Sequence, residues 1–237
     1  TGGITLNAQT IAANYSESAA NLVLMFAGTI TTHTGVLTIS GATAANVAQL
    51  VAINAASTGT IVLNAATNAA AYSDTAANLT AGFLGTTSHT GTIAVTGAAA
   101  TVAQANLLDA ITAGIITATI EGDSAADLAT LTGTTGVYAV TQNGSAVATI
   151  TQLVAINAAT TGAITINANT ISNNYSDTAA NLAAAFAGIT THTGTMAITG
   201  TTAATTAELL VINAATAGAI TLNAQTIAAN YSESAAN

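Results

Sequence analysis

The chain has 237 residues, with no Lys, Arg, Pro, Cys or Trp, and its nine acidic residues give a formal charge of −9. Without cationic side chains there is no phosphate clamp, no P-loop lysine and no hold on an anionic membrane surface, so no nucleic-acid or membrane partner is expected. The lack of cysteine excludes disulfides and thiolate metal sites, and the lack of lysine excludes Schiff-base chemistry.

A composition that is 51% hydrophobic and only 4% charged is unlike a disordered chain and unlike an ordinary globule. The most apolar stretch, Leu22 to Gly28, is far too short to cross a bilayer. The chain starts at Thr1 with no Met and no basic leader, so no secretion signal is expected and the sequence reads as part of something longer.

Internal repeats organise the chain. Residues 4–21, ITLNAQTIAANYSESAAN, recur unchanged as residues 220–237, a displacement of 216 positions. Glycines placed before alternating apolar runs mark finer units, beginning near Gly2, Gly35, Gly59, Gly91, Gly114, Gly136, Gly162, Gly194 and Gly218. One superrepeat therefore holds eight units averaging 27 residues. Long and short units alternate, except for two adjacent short ones in the middle.

Within a unit a period-two run comes first and an Ala-rich run of helical spacing follows. In chain order, Ala163 to Asn167 predicts a strand, and Ser176 to Phe186 a helix with Leu182 and Phe186 on one face. Ser176 is suited to cap that helix, and Asp177 to sit at the positive end of its dipole. Thr195 to Thr199 predicts a strand and Thr206 to Asn213 a helix. Strand, helix, strand with short connections points to parallel pairing through right-handed crossovers. The expectation is an α/β repeat solenoid of parallel strand–helix coils running over 1–237, with an all-β parallel solenoid as the alternative. Strands stack about 4.8 Å apart and helices about 8–10 Å, so one helix per strand would force curvature. Eight coils would advance roughly 38 Å.

Residues 124–136 (SAADLATLTGTTG), 151–166 (TQLVAINAATTGAITI) and the YSDTAANL runs at 72–79 and 175–182 resemble the Ala/Thr-rich tandem repeats of giant bacterial extracellular and cell-surface proteins, adhesin-like or surface-layer-like. The resemblance covers nearly the whole chain. It implies a non-enzymatic protein outside the cell and carries over no catalytic residue. The calcium-binding GGxGxD nonapeptides found in many such proteins are missing.

Three side-chain registers stand out. His33, His89 and His192 recur in one register. They lie too far apart to share a zinc ion and read as turn residues before strands. Glu17, Asp74, Asp123, Asp177 and Glu233 form an acidic register that reads as solvated helix N-termini. The densest acidic cluster, Glu121, Asp123 and Asp127, is the one calcium candidate. Tyr15, Tyr72, Tyr175 and Tyr231, with Phe26, Phe83 and Phe186 each eleven residues after a tyrosine, read as plugs of the long coils.

No catalytic triad, nucleophile elbow or facing pair of carboxylates is visible, so no enzyme and no cofactor is expected. Sequons at Asn14, Asn78, Asn143, Asn174 and Asn230 would permit glycosylation. The expected role is a structural segment of an extracellular filament, sheath or surface layer whose partner is another copy of itself. The alternative is an adhesin stalk or a Thr-rich face for glycan, ice or another surface, for which Thr117-Ala118-Thr119 is the nearest match.

Overall fold

The computed structural model describes residues 6–27, 33–86 and 89–231. Gly2, Ile4 and Glu233 lie outside them. The chain divides into two compact units, residues 1–119 with 135–137, and residues 120–134 with 138–237.

The first unit holds, in order, α1 (Ala8–Ala12), β1 (Tyr15–Glu17), α2 (Ala19–Phe26), β2 (Leu37–Ile39), α3 (Val47–Ala56), β3 (Ile61–Val62), α4 (Ala65–Ala69), β4 (Tyr72–Asp74), α5 (Ala76–Phe83), β5 (Ile93–Val95), α6 (Val102–Ile111) and β6 (Ile116–Thr119). Its strands pair in parallel, Tyr15 with Leu37 with Ile61, and Tyr72 with Ile93 with Ile116.

The second unit holds α7 (Ala125–Leu128), the body of β7 (Gly136–Thr141), α8 (Ile150–Ala159), β8 (Ile164–Thr165), α9 (Ala168–Ser172), β9 (Tyr175–Asp177), α10 (Ala179–Phe186), β10 (Met196–Ile198), α11 (Thr206–Ala215), β11 (Ile220–Thr221) and α12 (Ala224–Ala228). Val140 pairs with Ile164, and Tyr175 with Met196 with Ile220, again in parallel. Helices therefore alternate with parallel strands, and the Ala-rich segments are not the extra strands of an all-β chain.

Paired residues lie 21 positions apart at Tyr72 and Ile93, and 25 apart at Ile61 and Thr86. A turn of chain is thus shorter than the 27-residue sequence unit. The excess sits in the long units, which carry strand, one-turn helix, strand, helix rather than one strand and one helix. A five-residue helix such as α4 is too short to show a 3.6 period in sequence. Its signal is instead Asn-Ala-x-Thr, in which the Asn64 side chain accepts the Thr67 N–H at 2.8 Å.

The helix expected from Ser176 starts later. Its N-cap is Thr178, and Ser176 and Asp177 belong to β9, paired with Ala197 and Ile198. The alternation of Tyr175, Ser176 and Asp177 places the tyrosine inward and lets the ladder claim these residues before the helix begins. The ten-residue helices α3, α6, α8 and α11 all start on a capping box, with Gln49, Gln104, Gln152 or Glu208 reaching back to the N-cap backbone.

Inward residues of each strand and one stripe of each helix form the core, with Leu22, Leu50, Leu79, Phe83, Leu182 and Phe186 fully buried. Neighbouring helices pack closely because one partner offers almost no side chain. A Cβ built on Gly82 would lie 3.3 Å from the Leu50 Cβ, and the matching residue of α10 is Ala185. Successive turns are also tied by side chains. Thr67 Oγ1 accepts the Ala45 N–H at 2.9 Å, and Tyr72 donates its hydroxyl to the Ala45 carbonyl at 2.7 Å. Thr170 and Tyr175 hold Ala148 in the same way, and Thr226 and Tyr231 hold Ala204.

Asn68 breaks this pattern. It stands where the other copies carry Ile11, Ile171 and Ile227, and its Oδ1 is buried without a hydrogen-bond partner. Removing an unsatisfied buried oxygen and adding apolar packing should stabilise the fold. Asn68→Ile is expected to add about 1 kcal/mol and to raise the melting temperature by about 2–4 °C. A lower melting temperature would show that Oδ1 is not a cost to the native state.

Candidate functional site

The three histidines lie shortly before strands, each in an isolated bridge to a neighbouring turn, and all are buried. His33 and His89 are 0% exposed and His192 is 1% exposed. Each sits between a tyrosine and a phenylalanine of its own coil. The His89 ring centroid is 5.4 Å from Tyr72 and 4.9 Å from Phe83, and His192 lies 5.5 Å from Tyr175 and 4.9 Å from Phe186.

Both ring nitrogens reach across to other turns. His89 Nε2 meets the Ala70 carbonyl at 2.9 Å and Nδ1 meets the Thr112 hydroxyl at 3.1 Å. His192 does the same with Asn173 and Thr216, and His33 with Ala13 and Ser57. A carbonyl only accepts, so Nε2 carries the proton and Nδ1 is the acceptor of the neutral ring. The Thr112 hydroxyl also lies 3.1 Å from the Gly91 carbonyl, so its one proton is shared between the two acceptors.

Burial pushes the His89 and His192 pKa values down, with the Ala70 and Asn173 carbonyls pulling back only in part. Burial likewise pushes Tyr72 and Tyr175 up. A neutral imidazole locked on both nitrogens is a tie between turns rather than an acid, base or ligand. Sequence reasoning missed it because its partners are 19 to 24 residues away and one of the two partners of each ring is a plain carbonyl. The available signal was that His recurs only where a Tyr and a Phe recur with it.

The acidic register begins helices. Asp74 Oδ1 accepts the Asn78 amide at 2.8 Å and the Thr75 N–H at 2.7 Å, and Asp177 makes the same pair with Asn181 and Thr178. The Asn78 amide first, and the Thr75 N–H next, hold the Asp74 carboxyl below its ordinary value. In the calcium candidate, Glu121 is exposed, Asp123 accepts the Ser124 N–H at 2.7 Å, and Asp127 Oδ2 accepts the Ser124 hydroxyl at 2.5 Å. These two carboxylates are spent on the start of α7. Among the described residues no group of three His, Cys, Asp or Glu converges to hold a metal ion. A chelator is therefore expected to leave the melting temperature unchanged within about 2 °C. A fall of more than about 10 °C would establish an ion-dependent fold.

Among the described residues the outward strand positions are mixed, although Thr141 pairs with Thr165. Ser16, Thr38 and Val62 lie in one register, Ser73, Ala94 and Thr117 in another, and Ser176, Ala197 and Thr221 in a third. The more distinctive surface is in the second unit. Thr206, Leu209, Leu210 and Asn213 of α11, with Ile220 and Leu222, line an open groove of about 400 Å³. Leu210 is 44% exposed and Leu222 37%, whereas Ile166, which corresponds to Leu222, is 5% exposed.

No helix among the described residues is long and apolar enough to cross a membrane. No protein-family model, curated protein or solved structure matches the chain.

Proposed function

We propose that the chain is a structural repeat segment of an extracellular filament, sheath or surface layer, in which strand-and-helix turns run on as one solenoid and copies join end to end. The observation that carries this reading is the recurrence of one turn in sequence and in structure. Asn223 donates to the Gly200 and Thr202 carbonyls at 3.1 and 2.9 Å, Thr226 accepts the Ala204 N–H, and Tyr231 donates to the Ala204 carbonyl. The identical Asn7, Thr10 and Tyr15 stand 216 residues earlier. There, Tyr15 donates to the Thr10 carbonyl of its own segment at 3.3 Å, the same local bond that Tyr72 makes to Thr67.

The absence of Lys and Arg leaves trypsin no cleavage site, which suits exposure outside a cell. The mixed outward registers weigh against a flat threonine face for ice or glycan. Negative-stain electron microscopy of the chain at rising concentration tests the reading. Unbranched filaments or ordered sheets are expected, and dispersed single particles at every concentration would refute it.

A further inference from the structure

The bend that follows β7, residues 142–147, is held by its neighbours in the second unit. The Asn143 N–H donates to the Asp123 carbonyl at 2.7 Å. The Asn167 side chain donates to the Gly144 and Ala146 carbonyls at 3.1 and 2.8 Å, and the Asn169 side chain to the Ser145 carbonyl at 2.6 Å. Three successive carbonyls of one bend are thus gripped from the following turn.

One side chain of the bend is left out of this network. Asparagine amides elsewhere are mostly engaged. Asn64 and Asn223 hold carbonyls of a preceding turn, Asn54 and Asn157 hold helix ends, and Asn174 accepts a strand N–H. The Asn143 amide makes no hydrogen bond among the described residues, and Asn143 is exposed. It rests against Gly122, where an added Cβ would collide with it. Its successor is Gly144, and this is the one Asn-Gly pair of the sequence. Gly144 is exposed with a φ of +78°, and its N–H meets no acceptor among the described residues. A side chain at that φ would be strained and would shield its own nitrogen, and glycine does neither. A free carboxamide therefore precedes a free, unshielded backbone N–H.

We propose that the Asn143-Gly144 pair is a self-modification site, at which Asn143 loses its amide as ammonia and the main chain is rerouted through its side chain. Hydroxide takes the Gly144 amide proton, and the nitrogen attacks Asn143 Cγ. The new N–Cγ bond closes a five-membered imide as the Cγ–Nδ2 bond breaks. Nδ2 leaves as ammonia, taking a proton from water and so returning the hydroxide. Water then adds to one of the two imide carbonyls and breaks its bond to the nitrogen. Opening at Cγ gives aspartate in an ordinary main chain. Opening at the Asn143 carbonyl carbon gives isoaspartate, with the chain running through Cβ and Cγ.

Either product adds one negative charge to a chain already at −9. Isoaspartate also lengthens the main chain by one carbon atom. The carbonyls of Gly144, Ser145 and Ala146 then slip from Asn167 and Asn169, whereas aspartate leaves them in place. Rerouting therefore loosens the grip of one turn on the next.

The full chain is incubated in mildly alkaline buffer, sampled over time and cut with a protease that cleaves before aspartate. No acid lies between Asp127 and Asp177, so the digest releases residues 127–176. Isoaspartate leaves this fragment whole and one mass unit heavier, and aspartate splits it into 127–142 and 143–176. Fragmentation is expected to place the change at Asn143 before any other asparagine converts. Asn143→Gln, which would have to close a slower six-membered ring, is expected to stay unchanged over the same period. Isoaspartate-rich aged protein is expected to melt about 2–4 °C below fresh protein, and fresh Asn143→Asp with the parent. No change at Asn143, or an earlier one at another asparagine, overturns the site. Aged protein that melts like fresh protein, or Asn143→Asp that melts as low as aged protein, overturns the loosening by rerouting.

Discussion

His89→Ala is expected to destabilise the fold by about 3–5 kcal/mol, enough to unfold a marginal unit. The substitution leaves a cavity between Tyr72 and Phe83 and strips the Ala70 carbonyl and the Thr112 hydroxyl of their imidazole partner. Chemical denaturation of the parent and the variant measures it. A loss below about 1 kcal/mol would mean that the ring packs without tying the turns.

The same site sets a pH dependence. In the unfolded chain the imidazole titrates near its ordinary value of about 6.5, and burial lowers the native values of His89 and His192. The unfolded state then takes up protons first. Stability is full above that ordinary value and falls as the pH drops from about 6.5 toward the lower native values. The melting temperature should decline between pH 7 and pH 5.5, and less steeply in His89→Ala. A flat or rising profile would contradict a neutral, buried ring.

Gly114→Ala is the second large effect. A Cβ there would sit 2.0 Å from the Gly91 carbonyl oxygen and 2.6 Å from its carbon, both backbone atoms of the preceding turn. No rotamer relieves that, so the two turns must part, at a cost of about 3 kcal/mol or more. Gly41→Ala is the control. Its φ of +86° costs a side chain roughly 1–2 kcal/mol, but nothing lies within 4 Å of the added methyl. Equal losses at the two sites would show that crowding between turns is not what demands glycine.

Much of this was legible in the sequence. The glycines chosen as unit markers, Gly35, Gly59, Gly91, Gly114, Gly162, Gly194 and Gly218, are the places where a Cβ would meet backbone of another turn. The helix Thr206–Ala215 and the strand Met196–Ile198 fall close to where the period-two and helical patterns put them. The one-turn helices α1, α4, α9 and α12 were not legible, because five residues carry no period and only the Asn-x-x-Thr cap betrays them. Sequence alone puts the cap of α10 on Ser176 rather than Thr178, because both are hydroxyl residues before an Ala-rich run and only strand pairing decides between them. The histidine ties escaped for a different reason. A carbonyl acceptor on another turn has no sequence signature, whereas the hydroxyl partners Ser57, Thr112 and Thr216 recur in register.

The central claim is that these turns propagate from one copy into the next, and the axial repeat of the assembled material tests it most directly. If turns of the observed 19 to 25 residues ran on through one 216-residue period, it would hold about nine of them. At about 4.8 Å per turn the advance is roughly 43 Å, somewhat more than the eight sequence units suggest and less if the turns supercoil. Electron diffraction from aligned assemblies should show the 4.8 Å strand spacing along the fibre axis, with a longer axial repeat near 43 Å. Strand spacing at right angles to the axis, or an axial repeat unrelated to the 216-residue period, would contradict propagation through the ends.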